Sequence, residues 1–402
     1  MAENPESGSY AHLPDELLVE ILDKVPATVE KMNKMFDIQD EPIEQGISFL
    51  RNSDFIKKLS NDSFTTSLIA VDGGVILEKM TGSDLLLAVA VGVEGLTEDP
   101  TQEWGGEHNQ YYQWQTVLPH NEANARLAQG VMFLMELSVL ASSKHDIRIM
   151  DGTHFTPIIK INSLLSADEE KADKSYTQAL RDFLGETYEK IIPDIPDIIS
   201  AALEDEKIVA LAKYSSSRDV IEAFLSKFGI SVDDKTFFSL SLNEDEFLLP
   251  QSMGQSSDER ERIWNDLRIN CNLDIPERDE LNRALQTAIN PVRTRDSYNA
   301  HKGKQSSLYY TYYKPFQDGP AYRIEIKEPL AKDLGKLEKV LLSIKKQIVF
   351  PEIQEPYPQY LVDIMAKSLS SGMFAIEEAI KLSPDLRIDK GRFNLVFNYR
   401  TK

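Results

Sequence analysis

Three acidic residues stand where the surrounding sequence is apolar, and acids in such positions can bind a metal ion. Asp72 follows the apolar run Leu68–Val71 and precedes two glycines in "SLIAVDGG". Asp151 follows "DIRIM" and precedes Gly152, and Glu136 is the only charge in the helical stretch "GVMFLMELSVL". Uncompensated charge in apolar surroundings is costly, and neighbouring carboxylates raise each other's pKa. A hard divalent cation such as Mn²⁺ or Mg²⁺ relieves both problems.

Each of these residues taken alone also has a simpler interpretation. An Asp-Gly pair at the end of a strand is first of all a turn signal. A glutamate in a buried helix often forms a salt bridge with a neighbour or lies at the margin of the core. The metal-site interpretation therefore depends on whether the fold brings the three carboxylates together.

The order of predicted elements is three strands, a helix, a strand, a helix, a strand and a helix. This order predicts a mixed α/β sheet flanked by helices, as in the ribonuclease H-like fold. In that sheet the first strand lies beside the strand after the first helix, so Asp72 and Asp151 should meet. Two metal ions roughly 4 Å apart can activate a water and stabilise the leaving oxygen of a phosphodiester.

The flanking regions are predicted more coarsely. Residues 1–60 form an N-terminal helical region, and an apolar stripe on the helix after Pro14 suggests a role in dimerisation. Residues 61–402 form the main domain, with a less regular insertion near 230–300. The alternation in "AYRIEIKEP" predicts a strand with one face buried and its charged face in solvent.

Composition restricts the possible partners. The 402 residues carry 65 acidic and 44 basic side chains, for a net charge of −21. Diffuse attraction to phosphates is therefore excluded, and any contact with nucleic acid must be local or helped by metal or a basic partner. The single cysteine and the lack of a signal peptide or membrane span in the sequence indicate the cytoplasm.

One stretch, "NPVRTRDSYNAHKGKQSSLYYTYYKPF", combines cations with aromatic rings. Such a mixture is typical of a path for single-stranded nucleic acid, in which bases stack on the rings. The alternative is a strand whose tyrosines enter the core while its charges are solvated. The candidate DNA-binding residues are Arg293, Arg295, Lys302, Lys304 and Tyr310.

An ordered set of motifs resembles the NurA nucleases. The motifs are "IAVDGG", the helix carrying Glu136, "IRIMDGT", "IVALAKYSSS", "AYRIEI" and "EPYPQYL", and they extend from about residue 60 to 385. The resemblance implies a manganese-dependent DNA nuclease with 5′ to 3′ exonuclease and single-strand endonuclease activities, and the carboxylates themselves predict two ions of Mn²⁺ or Mg²⁺. It also implies a homodimer that docks on a hexameric HerA-type ATPase and processes DNA ends in repair or in defence against foreign DNA.

The resemblance assigns roles to individual residues. Asp72, Glu136 and Asp151 correspond to the metal-binding carboxylates of the family. Lys213, at the end of "VALAK", corresponds to a lysine that faces a phosphate, and Tyr357 to the tyrosine of a tyrosine-proline motif.

This chain departs from the family at one position. Eight residues after the tyrosine the family often has an active-site histidine, but here the residue is Met365, a poor ligand for a hard metal. Asp363 is the nearest acid on the same predicted helix and is a candidate fourth ligand.

Two other functions remain open from the sequence. The loss of the histidine is compatible with a catalytically weak or silent subunit that only docks on the ATPase. The motif "AVDGGV" also resembles the first phosphate turn of actin-like ATPases and sugar kinases, although the later phosphate and adenosine motifs of those proteins were not found. A G-x-x-x-x-G-K-[ST] phosphate loop is absent, so the chain should not translocate DNA by itself.

Overall fold

A computed structural model describes most of the chain. The described residues are 14–35, 39–60, 66–80, 82–96, 110–167, 174–185, 194–253, 271, 273–293, 308–350, 352–387 and 391–392. Within these residues ten strands form one sheet: β1 (Ile56–Lys58), β2 (Leu68–Lys79), β3 (Ser83–Glu94), β4 (Tyr111–Pro119), β5 (Ile147–Asp151), β6 (Ile208–Ala212), β7 (Glu246–Leu248), β8 (Gln251–Ser252), β9 (Leu308–Tyr313) and β10 (Tyr322–Lys327).

Helices make up much of the rest of the described chain. They are α1 (Asp15–Asp23), α2 (Val25–Met35), α3 (Asp40–Asn52), α4 (Asn124–Ser142), α5 (Phe155–Leu165), α6 (Lys174–Phe183), α7 (Ile195–Glu204), α8 (Asp234–Ser241), α9 (Arg278–Arg293), α10 (Glu328–Ala331), α11 (Leu334–Gln347) and α12 (Tyr357–Leu382). A π-helical turn at Ile221–Leu225 and a 3₁₀ turn at Ser226–Phe228 end at Gly229, whose φ is 70°.

The sheet is mixed, as the order of elements predicted. Its strand order is β1-β7-β9-β10-β6-β5-β2-β3-β4, with β8 pairing off this path with β9. Strands β2, β3 and β4 are antiparallel neighbours, and β5 runs parallel to both β2 and β6. The sequence predicted that the strand carrying Asp72 lies beside the strand carrying Asp151. These strands are β2 and β5, and their pairing confirms the prediction.

Helices cover both faces of the sheet centre. Because side chains alternate along a strand, Ile69 and Val71 of β2 enter one core with α4, whereas Leu68 and Ala70 enter the other with α11 and α12. This two-sided cover explains why the central strands read as continuous apolar runs.

The α4 helix is long and apolar enough to cross a membrane, and it is the one such helix in the described part of the chain. Two thirds of it is buried inside the protein, as in the core helix of a globular domain.

Strand β10 differs from its prediction. All six residues are buried, including the three charged ones that were expected in solvent, because α-helical layers cover both of its faces. Buried charge requires partners, and Arg323 has them: its guanidinium lies 3.3 Å from an oxygen of Asp219 and 3.2 Å from one of Glu325. Lys327 donates a hydrogen bond to the Ala202 carbonyl.

The predicted insertion near 230–300 is partly integrated into the sheet. Strand β7 pairs with both β1 and β9, and β8 pairs with β9. Residues 254–270 and 294–300 of this region lie outside the described residues. The division of the chain at residue 60 stays a prediction.

The N-terminal helices α1 and α2 expose an apolar face. The sequence predicted a stripe of Leu17, Leu18, Ile21, Leu22 and Val25, and in the single chain all of these except the half-buried Leu18 are exposed. The exposed apolar side chains are Leu17, Val19, Ile21, Leu22, Val25, Val29 and Met32. By contrast, α3 packs its apolar side chains into a core formed with α8.

Candidate metal centre

Two strands place Asp72 and Asp151 side by side. The parallel register of β2 and β5 pairs Val71 with Met150, so the next residue of each strand is one of the two aspartates. Asp151 is the last residue of β5, at the carboxyl edge of the parallel part of the sheet.

The glycines after Asp72 do not form the turn that the sequence suggested. Strand β2 continues through them to Lys79, so the expected strand end at Asp72 is wrong. Their role is to let two helices approach the strand closely. A Cβ on Gly73 would lie 2.5 Å from a carboxylate oxygen of Glu136, and a Cβ on Gly74 would lie 2.4 Å from the Ala366 carbonyl oxygen.

Glu136 reaches this site from α4, on one face of the sheet. It is 3% exposed. Burial first, and then the charges of Asp72 and Asp151, raise the pKa of Glu136 well above its usual value. A salt bridge for Glu136, the simpler interpretation, is not found among the described residues.

Asp363 reaches the same site from α12, on the opposite face. Oxygen atoms of Asp72, Asp151 and Asp363 lie within 4.8 Å of one another, close enough to share one cation. Met365, at the position of the expected histidine, is 47% exposed. The acid two residues earlier is therefore the side chain of this helix that joins the cluster.

Lys213 lies among the carboxylates. Its ammonium is 3.0 Å from Glu355, 3.5 Å from Asp151 and 4.0 Å from Asp363. Burial alone would lower the pKa of Lys213, but the charges of these three acids outweigh it and the pKa is raised. Lys213 thus stays positively charged at neutral pH and offsets part of the local negative charge.

Sequence reasoning missed two polar residues of the site, Glu355 and Gln359. The side-chain amide of Gln359 donates to an Asp151 oxygen at 2.7 Å, and this side chain is almost fully buried. The other Gln359 atom, Oε1, is buried without a hydrogen-bond partner in the described structure. Glu355 and Gln359 flank the tyrosine-proline pair in "EPYPQY", at the start of the helix that carries Asp363. This position in the motif could have identified them as candidates.

Crowding changes the acidity of Asp72. Burial, followed by the charge of Asp151, raises the pKa of Asp72 from 3.8 to about 6, against the smaller opposing effects of the Gly73 amide and Lys213. The Gly73 amide donates to Asp72 at 2.9 Å. These hard oxygen donors, packed so closely that they raise each other's pKa, fit a divalent cation such as Mn²⁺ or Mg²⁺.

Tyr357 occupies a different place from the carboxylates. It begins α12, and its ring packs against Phe350 with centroids 6.2 Å apart. No described contact joins it to the acidic cluster, so its catalytic role stays a prediction.

The predicted DNA-binding stretch has a mixed outcome. Tyr310 is 4% exposed and lies in the core, with the Arg323 guanidinium 4.4 Å from its ring centroid. Its expected stacking on a base is therefore wrong, because the helical layer over β9 encloses the ring. Arg295, Lys302 and Lys304 lie outside the described residues, as does the side chain of Arg293 at the end of α9.

We predict that Asp72→Asn stabilises the metal-free protein above pH 6. The folded state retains the Asp72 proton up to about pH 6, whereas the unfolded chain releases it near 3.8, so stability falls as pH rises between these values. That difference in pKa corresponds to roughly 3 kcal/mol at most. Thermal unfolding in EDTA should show a melting temperature a few degrees higher for the variant at pH 7, converging with wild type near pH 4.

The matched control is Asp385→Asn, which changes an exposed acid on a different surface and should leave the melting temperature unchanged. Added Mn²⁺ should stabilise wild type more than Asp72→Asn. Equal melting temperatures of wild type and Asp72→Asn at pH 7 in EDTA would contradict the crowding of charge at this site.

We also predict that Gly74→Ala weakens metal binding. The new methyl group would collide with the backbone of Ala366, so α12 must shift and carry Asp363 away from the other carboxylates. Affinity for Mn²⁺, measured by calorimetry, should fall by about 10-fold or more. Gly82→Ala adds a methyl group in open space in the same hairpin and should bind Mn²⁺ like wild type; equal affinities of all three proteins would refute the packing argument.

Solved structures with a fold similar to that of this chain are known. The chain is similar in structure to the crystal structure of NurA bound to dAMP and manganese, with a TM-score of 0.50, 11% identity, and coverage of 94% of this chain and 99% of that chain. The crystal structure of the NurA nuclease from Sulfolobus solfataricus has a TM-score of 0.49 and 14% identity, covering 92% of this chain and 100% of that chain. At these identities the likeness is one of fold alone, and a comparison with curated proteins gives no match.

The NurA domain family matches residues 66–364, a range that contains Asp72, Glu136, Asp151 and Asp363 as well as Lys213. Because this match covers most of the chain, the protein belongs to the NurA family.

Proposed function

We propose that this chain is a divalent-metal-dependent DNA nuclease that hydrolyses phosphodiester bonds at the acidic cluster. The observation that carries the proposal is the meeting of Asp72, Asp151 and Asp363 within 4.8 Å, beside the positive charge of Lys213. Membership of the NurA family supports the same activity. A relative of known structure has been solved with manganese and with dAMP, a mononucleotide.

Asp72, Asp151, Asp363 and Glu136 are the residues that would hold the metal. Mn²⁺ or Mg²⁺ bound there supplies an activated water and neutralises charge that develops on the phosphate. Two ions are our proposal, since four carboxylates offer more oxygen atoms than one ion needs.

The remaining residues position and balance the acids. Gln359 holds one oxygen of Asp151 and so orients the carboxylate. Lys213 keeps its proton and is placed to attract a phosphate into the cluster, the role expected from the family resemblance. Tyr357 is retained as a proposed catalytic residue on the resemblance alone.

A silent docking subunit is the main competing function, and Met365 is the feature that favours it. The position of Asp363 argues against it, because an acid from the same helix joins the two strand aspartates. An ATP-binding function of the actin-like or sugar-kinase type is disfavoured by Gly73 and Gly74, whose open sides are filled by Glu136 and Ala366 and leave no space for a phosphate.

The proposed biological setting follows the family. We propose 5′ to 3′ exonuclease and single-strand endonuclease activities, and a HerA-type hexameric ATPase as partner, in DNA end processing for repair or for defence against foreign DNA. The net charge of −21 supports a partner that delivers DNA, because the chain as a whole repels phosphates. Arg293, Arg295, Lys302 and Lys304 are retained as a proposed basic path, and a cytoplasmic location as the proposed compartment.

We predict that Asp151→Asn and Asp363→Asn each lower metal-dependent cleavage of single-stranded DNA by about 100-fold or more, because each removes a charged ligand. The measurement is cleavage of a short labelled oligonucleotide with Mn²⁺, Mg²⁺ or EDTA. Met365→Ala is the control on the same helix and should retain the wild-type rate.

The outcomes separate the competing interpretations. A wild-type rate in Asp363→Asn would eliminate it as the fourth ligand. A wild-type protein that cuts neither single- nor double-stranded DNA with either metal, alone or with its partner ATPase, would favour the silent subunit.

We propose that the apolar face of α1 and α2 forms part of a homodimer interface, and we predict that Leu22→Glu disrupts it. The argument is that seven large apolar side chains of α1 and α2 are exposed in the single chain. Light scattering should report the dimer mass for wild type and for the control Glu20→Lys, and half that mass for Leu22→Glu. An unchanged mass for Leu22→Glu would place the interface elsewhere.

A further inference from the structure

A cleft opens directly beside the acidic cluster. Its volume is about 540 Å³, within the range of about 300–1,000 Å³ typical of sites for small ligands. Its lining includes Lys213, Glu355 and Gln359, which belong to the metal centre described above, together with Tyr214, Lys235 and Tyr360. A molecule in this cleft would therefore contact residues of the metal centre.

Tyr214 is unusual among the aromatic residues of the cleft. It directly follows Lys213 at the end of β6 and is 93% exposed. An aromatic ring in water gains by stacking on another flat ring, and nucleic-acid bases provide such a ring on every nucleotide. The buried tyrosines of β9, in contrast, have no free face, so the sequence pattern of tyrosines did not indicate which of them could stack.

Lys235 lies near Tyr214 in the lining of the cleft. It lies in the first turn of α8 and donates a hydrogen bond to the Lys213 carbonyl, which precedes Tyr214. Its ammonium is 5.9 Å from the Tyr214 ring centroid. An ammonium has three donors, so this bond leaves others for a phosphate oxygen. Lys235 and Tyr214 thus present a cation and a ring within the length of one nucleotide.

Two acids line the cleft, Glu352 and Glu355. Glu355 is paired with Lys213 at 3.0 Å. Glu352 is exposed to solvent, which screens its charge. In a chain of net charge −21, a local cation next to an exposed ring is the feature needed to hold a polyanion.

We infer that this cleft binds the single-stranded nucleotide next to the scissile phosphate, with its base stacked on Tyr214 and its phosphate on Lys235. The inference rests on the proposed nuclease function and specifies the form of substrate. The volume of the cleft is in the range of sites for a small ligand such as one nucleotide. A base can lay its face on Tyr214 only when it is free of its own neighbour in the stack. The site therefore selects a DNA end or an unpaired strand.

Binding and cleavage of a short oligothymidylate test this inference. Affinity is measured by fluorescence anisotropy with Ca²⁺ in place of Mn²⁺, and KM and kcat are measured with Mn²⁺. Tyr214→Ala should weaken affinity and raise KM by about 5- to 150-fold, the range that stacking on one base implies, with a smaller change in kcat. Tyr214→Phe keeps the ring and should behave like wild type.

Lys235→Gln should also weaken affinity and give a shallower dependence on salt concentration, because one phosphate contact is lost. Lys235→Arg keeps the charge and should restore most of the affinity. Lys227→Gln, which changes a lysine that lies over Phe49 away from the cleft, is the matched control and should bind like wild type.

The position of the base is tested with oligonucleotides that carry one abasic site. At one position the abasic site should weaken binding to wild type as much as Tyr214→Ala does, and the two changes together should cost little more than either alone. If the affinity losses from Tyr214→Ala and from the abasic site multiply for every position of the abasic site, the stacking assignment is wrong.

The remaining outcomes separate this inference from the nuclease function. If wild type cuts the oligonucleotide and Tyr214→Ala has unaltered KM and affinity, the cleft assignment is wrong and the nuclease function stands. If wild type binds the oligonucleotide with the predicted Tyr214 dependence but does not cut it, the cleft assignment stands and the nuclease function fails.

Discussion

Repulsion among closely spaced carboxylates is the constraint on which the rest of this structure depends. Asp72, Asp151 and Asp363 approach within 4.8 Å, and Glu136 packs against the same strand. The fold offsets part of this repulsion with Lys213 and with two neutral donors, the Gly73 amide and the Gln359 side chain. What remains is visible in the raised pKa of Asp72 and of Glu136, and a divalent cation is the group that removes it. The centre is thus strained without metal and relaxed with it.

The metal-binding candidates in apolar surroundings were the part of the molecule that could best be predicted from the sequence. A charge that follows an apolar strand or interrupts a buried helix has few structural explanations, and the order of elements was sufficient to place β2 beside β5. Asp363 could be predicted as well, because a proline marked the start of α12 and the family resemblance indicated that this helix contributes to the site.

The roles of residues that are determined by packing between elements far apart in the sequence could not be predicted in the same way. The pair Gly73–Gly74 has the local signature of a turn, yet the strand continues because Glu136 and Ala366 come from helices far away in the sequence. The alternation in β10 indicated a solvated face, but a second helical layer covers it and the charges pair inside. Tyr310 and Tyr214 are equally aromatic in sequence, and only the tertiary structure decides that one is enclosed and the other exposed.

The two faces of the sheet also have a consequence for when the acidic cluster is completed during synthesis. Glu136 comes from one helical layer and Asp363 from the other, and Asp363 follows Asp151 by more than two hundred residues. A ribosome therefore releases the strand aspartates long before the helix that completes their cluster. During synthesis the chain holds an incomplete set of ligands, and docking of α12 against Gly74 is the event that completes it. Such an arrangement makes the complete cluster of carboxylates a property of the finished fold, and nascent chains lack it.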